Sequence, residues 1–267
     1  MKQEFLQKYG PWALVTGAAQ GLGSAFAEQL AERGLNVVLV DRQHSVLAST
    51  AFKLKEKYNV DFREVVIDLE HPNFIEKLTS ETNDLEIGLL VANAAVGYVG
   101  SFAEIELETM LSGIDVNVKA ALILSHTFCK AMISRKKGGI IFLASSSGYL
   151  GTPYVANYCA TKAYNLILAE ALWYELGKYD VDVLGFSPGA TNTPSFRGSR
   201  GDLKEGEKSK GVLLPDLVAD RALQVLGQAP SARPGFWATL ETFVMTRLLK
   251  RGYVIKRAGD YIGGNFS

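Results

Sequence analysis

Tyr158 and Lys162 stand four residues apart in the run Tyr158-Cys159-Ala160-Thr161-Lys162, a spacing that puts both side chains on one face of a helix. A phenol beside an ammonium is an acid–base device. A free tyrosine ionises near pH ~10, too high for a ready base at neutral pH, and a cation one turn away stabilises the phenolate and lowers that value. Ser145 lies 13 residues upstream of Tyr158 and can donate a hydrogen bond to a substrate oxygen, fixing it near the phenol. Asn117, in Asp115-Val116-Asn117-Val118, falls inside a helical pattern where propensity alone does not explain it. Each has a bland reading when taken singly. Tyr-x-x-x-Lys pairs are common on amphipathic helix surfaces, Ser145 opens a Ser145-Ser146-Ser147-Gly148 turn, and Asn117 could be an exposed helix residue. Together and in order, they argue for proton transfer to or from an oxygen.

A second constellation opens the chain. After a short apolar run comes Thr16-Gly17-Ala18-Ala19-Gln20-Gly21-Leu22-Gly23, leading into a helical pattern. Glycine is required where backbone turns tightly and where a pyrophosphate must come closer than a Cβ allows. The helix N-terminus beyond then offers free N–H groups and partial positive charge. Asp41 ends the next apolar run, 24 residues after Gly17. A carboxylate there can accept both ribose hydroxyls of an adenosine while repelling a 2′-phosphate. Arg42 follows and could pair with a 2′-phosphate. The carboxylate is expected to dominate, favouring NAD over NADP.

The spacing Thr-Gly-x-x-x-Gly-x-Gly resembles that of the short-chain dehydrogenase/reductase family, over about residues 10–195. The resemblance implies a Rossmann fold and hydride transfer between a nicotinamide and a hydroxyl/carbonyl group. It implies that Gly17, Ala19, Gln20, Gly21, Leu22 and Gly23 cradle the cofactor, with Asp41 and Arg42 at the adenosine ribose and Asp68 and Leu69 at the adenine. Asn93-Ala94-Ala95 resembles the family's Asn-Asn-Ala-Gly, with Ala92 first and Ala95 last here. Pro188, Gly189, Thr191 and Thr193 resemble the element beside the nicotinamide, although Thr191 replaces the usual branched aliphatic residue. The roles implied are Tyr158 as acid/base, Lys162 lowering its pKa, Ser145 orienting the substrate oxygen, and Asn117 holding a water that links Lys162 to solvent. Tyr158 and Lys162 are also implied to contact the cofactor. The opening Tyr9-Gly10-Pro11-Trp12-Ala13-Leu14-Val15-Thr16-Gly17 resembles the branch of 3-ketoacyl and 17β-hydroxysteroid reductases.

These groups need a frame. Short β-branched runs at Trp12–Val15, Val37–Val40, Val65–Ile67, Ile87–Val91, Ile140–Leu143 and Val181–Phe186 suit strands buried on both faces. Between them lie stretches of helical period, such as Leu22, Ala25, Phe26 and Leu30 before Gly34, and Ala156 to Tyr179. Strand–helix alternation of this kind predicts an α/β, doubly wound parallel sheet in one domain spanning residues 1–267. Residues 192–214, rich in Gly, Ser, Arg, Lys and Glu, read as a mobile substrate loop or a long connection. Residues 230–267 form a C-terminal extension. Its Phe236, Trp237, Leu240, Phe243, Val244, Leu248 and Leu249 fall largely at helical spacing, followed by Lys250 and Arg251. A core or subunit-interface helix is expected, in a homodimer or homotetramer, ahead of a membrane-surface helix.

The substrate walls are expected from residues 96–102 and 147–154 and the loop after Pro188. These contribute Val96, Tyr98, Tyr149, Leu150, Tyr154 and Phe196, and suit a largely apolar ketone or secondary alcohol. Arg197, Arg200, Lys204 and Lys208 could greet an anionic carrier or simply keep the loop soluble. Composition narrows the alternatives. Among 267 residues, 28 Lys plus Arg balance 28 Asp plus Glu, so no net charge steers the chain toward nucleic acid. Two cysteines (Cys129, Cys159) and three scattered histidines suggest neither a disulfide scaffold nor a metal site. No apolar run approaches 18 residues, and a cytoplasmic location is expected. The rival reading is a catalytically silent, nucleotide-sensing protein of the same fold.

Overall fold

The computed structural model describes residues 2–200 and 204–263. Seven parallel strands form one sheet: β1 Trp12–Thr16, β2 Asn36–Asp41, β3 Phe62–Val66, β4 Ile87–Ala92, β5 Gly138–Leu143, β6 Val181–Phe186 and β7 Ser231–Ala232, in the order β3-β2-β1-β4-β5-β6-β7. The helices are α1 Lys2–Tyr9, α2 Gly21–Glu32, α3 His44–Lys57, α4 Phe74–Glu81, α5 Leu107–Ile114, α6 Ala121–Arg135, α7 Ala156–Gly177, α8 Pro194–Arg200, α9 Pro215–Val225, α10 Phe236–Phe243 and α11 Arg251–Gly263. β1 pairs with both β2 and β4, so the strand order reverses beside it, the place where doubly wound sheets bind ligands.

Alternate strand residues feed two cores. On one face Val15, Leu39, Leu143 and Phe186 meet Phe26 and Leu30 of α2 and Val218 and Leu223 of α9. On the other, Leu14, Val40, Leu90, Phe142 and Val183 meet Leu124 of α6 and Ala169 of α7. Burial on both faces is why β4 and β5 carry almost no polar side chain.

The structure departs from the sequence expectations at the periphery. β3 starts at Phe62 rather than Val65, because it is an edge strand whose Arg63 and Glu64 are not fully buried and break the apolar run. β7 is two residues long and is defined by backbone pairing with β6, so no side-chain pattern announces it. The 192–214 segment is not a plain loop. Pro194–Arg200 is helical, and the buried Asn192 pins the chain on its C-terminal side: its amide donates to the carbonyls of Lys204 and Glu207 (both 2.9 Å) and its oxygen accepts from Arg197 (2.9 Å). Residues 201–203 and the side chains of Ser199 and Arg200 lie outside the described part.

The C-terminal extension is helical as expected, in α10, a π turn at Val244–Leu248, and α11. It is not core in the single chain. Phe236, Trp237, Phe243 and Leu248 are all more than half exposed.

Candidate active site and dinucleotide cleft

The sequence-predicted residues gather at the carboxyl ends of the strands, around two adjoining clefts that share Val96. The first, about 150 Å³ and open to solvent, is lined by Gly17, Asp41, Arg42, Asp68, Leu69, Ala94 and Ala95, among others. Its shape depends on missing side chains. Gly17 has φ +67°, and a Cβ there would press within 2.9 Å of Asn93 Nδ2 and 3.0 Å of Ala94 Cα. Asn93 ties the strands beneath: its Nδ2 donates to the Thr16 carbonyl (2.8 Å), while the Asn93 and Ala94 amides donate to Thr16 Oγ1 (both 3.1 Å). Gln20 caps α2 without a side-chain hydrogen bond, and no acidic residue occupies that first turn. Leu22 packs down against the core. The α2 N-terminus is thus open to a phosphate, so the residues present fit a dinucleotide.

Asp41 is nearly buried, and both its oxygens are engaged by the backbone. Oδ2 accepts from the Ala19 amide (3.1 Å) and Oδ1 from the Gln43 amide (2.9 Å). A carboxylate has about four acceptor positions, so two remain. Arg42 turns aside toward Asp68 (3.6 Å) and Glu70 (3.3 Å), and Ser112 donates to Glu70 as well (2.8 Å).

The second cleft is lined by Val96, Gly97, Tyr98, Phe102, Ile105, Met110, Asn117, Tyr154 and Tyr158, among others. Phe102 lies at the end of the expected 96–102 wall, Ile105 and Met110 had no sequence signal beyond being apolar, and Tyr149, Leu150 and Phe196 do not line it. Gly97 lies over the Tyr158 ring, where a Cβ would come within 2.9 Å. Tyr154 holds φ +66°, a left-handed conformation uncommon for a bulky residue, and its carbonyl accepts from the Gly100 amide (2.8 Å). That bond joins the two walls of the cleft.

The Ser145 hydroxyl comes close enough to the Tyr158 phenol to favour its ionised form, so the two ends of the 13-residue spacing do meet. Ser145 also caps the following 3₁₀ turn, its Oγ accepting from the Ser147 amide (3.2 Å). Lys162 is buried, and its Nζ donates to the Leu143 carbonyl (2.6 Å), 5.7 Å from the Tyr158 ring centre. Burial pushes the Tyr158 phenol up, and the Ser145 hydrogen bond only partly opposes this; Lys162 does not bring it down in the protein alone. Burial also lowers Lys162 itself to about 8, because no charge among the described residues compensates its desolvation.

Asn117 is buried rather than exposed. It sits in a π turn, Asp115–Ala120, between α5 and α6. Its side chain is fully used: Oδ1 accepts from the Val96 amide (2.8 Å), and Nδ2 donates to the Val96 carbonyl (2.8 Å) and to Thr161 Oγ1 (3.0 Å). It therefore stitches a cleft wall to the Tyr158 helix. Thr191 is buried and bonds to the Gly189 carbonyl (3.0 Å), and Pro188 accepts from the Ser146 amide (2.9 Å). Thr193 packs beside Gly21. These four residues wall the region without lining either cleft. The described residues hold no cluster able to bind a metal ion and no helix long and apolar enough to cross a membrane.

A cleft shaped by the Gly17 turn at the sheet's reversal, adjoining a second cleft walled by Tyr158, is an arrangement that suits a nucleotide-dependent oxidoreductase. The chain belongs to the short-chain dehydrogenase/reductase family, whose model (short chain dehydrogenase) matches residues 11–204. It is 31% identical over 230 residues to a 7beta-hydroxysteroid dehydrogenase of Mediterraneibacter gnavus, covering 86% of this chain and 88% of that one. Among solved structures, one of a 7beta-hydroxysteroid dehydrogenase superposes with TM-score 0.87 at 28% identity, covering 97% and 99% of the two chains. A short-chain dehydrogenase from Sphingobium yanoikuyae in complex with NADPH superposes with TM-score 0.77 at 27% identity, covering 87% and 92%.

Proposed function

We propose that the protein interconverts a ketone and a secondary alcohol on a bulky, largely apolar, steroid-like molecule, using NAD(H) in preference to NADP(H). The observation that carries this reading is the position of Tyr158, at the wall of an otherwise mainly apolar cleft that adjoins the dinucleotide cleft at Val96. The bound nicotinamide supplies or accepts the hydride. In reduction, Tyr158 donates its proton to the developing alkoxide, and burial keeps that phenol protonated at neutral pH. Ser145 orients the same oxygen, and Lys162 supplies positive charge beside the phenol. Asn117 holds the pocket wall against α7 and belongs to the route by which Lys162 exchanges protons with solvent. The similarity to 7beta-hydroxysteroid dehydrogenases supports a fused-ring substrate. A 7-oxosteroid with NADH is expected to give loss of the reduced nicotinamide's near-ultraviolet absorbance; no turnover with NADH or NADPH would overturn the reading.

The cofactor preference rests on charge. Asp41, Asp68 and Glu70 surround the adenosine end, where Arg42 is already engaged by two of those carboxylates. A 2′-phosphate would enter a region of net negative charge. Asp41→Ser removes the nearest carboxylate, and its hydroxyl can keep one of the two backbone bonds. Relative affinity is expected to move toward NADPH by about tenfold or more, near ~1.4 kcal/mol. Nicotinamide fluorescence titrations check this; an unchanged NADPH/NADH ratio would remove Asp41 as the selector. We further read the exposed aromatic stretch of α10 as a contact between copies of the chain in a homo-oligomer.

A further inference from the structure

Asn165 is one turn beyond Lys162 on α7 and is 2% exposed. An amide at this depth needs a reason, since an aliphatic residue would fill the site without desolvation cost. Half of the reason is visible. Asn165 Nδ2 donates to the main-chain carbonyl of Asn117 (3.0 Å), inside the π turn. The orientation follows from chemistry, because the amide oxygen could not face a carbonyl. Asn165 Oδ1 is then left buried and without a hydrogen-bond partner among the described residues.

A second such atom lies opposite. Ser187 Oγ is fully buried and likewise has no partner among the described residues. Ser187 follows β6 by one residue and shares the face of Val181, Val183 and Gly185, the face packed on α7. Gly185 meets Leu166 and Ala169 there. Moving two residues along a strand advances about 6.6 Å, which on an antiparallel helix is about four to five residues back. That brings Ser187 opposite Lys162 and Asn165. Lys162 Nζ carries three N–H bonds, and Leu143 accepts one.

We propose that Asn165 is a positioning residue of the proton route: its amide nitrogen clamps the Asn117 carbonyl, and its oxygen, with Ser187 Oγ, holds one buried water against the Lys162 ammonium. Three polar partners are what an internal water requires. The neighbours that could disturb Lys162 are neutral: Leu143 O on β5, Ser187 after β6, Asn117 in the π turn, and the protonated Tyr158 phenol on α7 itself. This inference rests on the reading of Tyr158 and Lys162 as the proton-transfer pair.

Two measurements test it. A high-resolution crystal structure of the NADH complex, which needs no turnover, is expected to show a water within hydrogen-bond distance of Asn165 Oδ1 and Lys162 Nζ. A protein donor on Oδ1, or no such water, overturns the proposal. In the second, Asn165→Leu, which has the same branching and heavy-atom count, removes both functions, and Asn165→Asp removes the donor while placing a charged acceptor beside Lys162. With a 7-oxosteroid, Asn165→Leu is expected to lower kcat about tenfold and to move the alkaline limb of the pH profile to lower pH, since an ammonium without that acceptor loses its proton more readily. KM and NADH affinity should stay put, and Asn165→Asp should move the limb to higher pH, since a carboxylate beside the ammonium holds its proton. A variant that melts lower with an unchanged pH profile shows a structural role and overturns the proposal. The underlying reading fails separately, by full activity in Tyr158→Phe.

Discussion

Tyr158→Phe is expected to lower turnover of a 7-oxosteroid at least about 10³-fold while leaving NADH affinity unchanged. General acid–base groups contribute typically 10²–10⁴-fold, and this substitution deletes one oxygen and nothing else. The ring remains to pack under Gly97, so the cleft keeps its shape. Ser145 loses its hydrogen-bond partner but keeps the bond from the Ser147 amide, which limits any collapse of the turn. Parallel titration and steady-state kinetics separate the two effects. Retained activity would mean that the proton comes from elsewhere. No turnover in the parent protein either, with NADH still bound, would favour a nucleotide-sensing role. The pH profile carries a further sign. Burial holds the phenol protonated, so reduction is expected to be level through neutral pH. It should fall as pH rises through about 8, where Lys162 loses its charge.

Gly23→Ala is the second large effect, and it should act on binding before chemistry. Gly23 lies in the first turn of α2, and a Cβ there would overlap the carbonyl oxygen of Gly17. Gly17 cannot retreat easily, since it holds φ +67° with Asn93 and Ala94 against its other side. The clash is with backbone, so the whole turn must shift away from the pyrophosphate position. Overpacking of this kind costs about 1–3 kcal/mol in stability. NADH affinity is expected to fall about 100-fold or more, and the melting temperature by several degrees. Gly177→Ala is the matched control: it too is a helical glycine, but nothing lies within 4 Å of its added Cβ, and it should bind NADH as the parent does. Equal behaviour of the two variants would rule out the close approach at Gly17.

Much of this site is legible in the chain because its chemistry is local. The glycine turn needs only neighbours in sequence to form, and Tyr158 and Lys162 share a face through helix geometry alone. Ser145 required a guess about which of three serines acts, and the structure brings it to Tyr158. Asn117 was visible as an anomaly, but its burial and its bonds to Val96 and Thr161 depend on where α7 packs. Ile105 and Met110 carried no signal, because an apolar residue lining a cleft looks the same in sequence as one filling a core. Asn192 was hidden inside a polar stretch whose composition suggested only a loop, although three hydrogen bonds make it the organiser there.

The parallel sheet, the cleft at its reversal and the order of the reactive groups were all written in the linear chain. Periodicity and spacing are properties of the chain, and burial on both faces leaves a run of apolar residues that can be read directly. Ionisation was not written there and came with packing. A sequence places a lysine one turn from a phenol, but desolvation is set by everything packed around them. Here it raises the phenol and lowers the ammonium, so both neutral forms gain. Packing likewise determines that Asp41 spends an acceptor position on the Ala19 amide and that Arg42 turns to Asp68 and Glu70, since those partners are brought together from separate segments of the chain by the crossovers of the sheet.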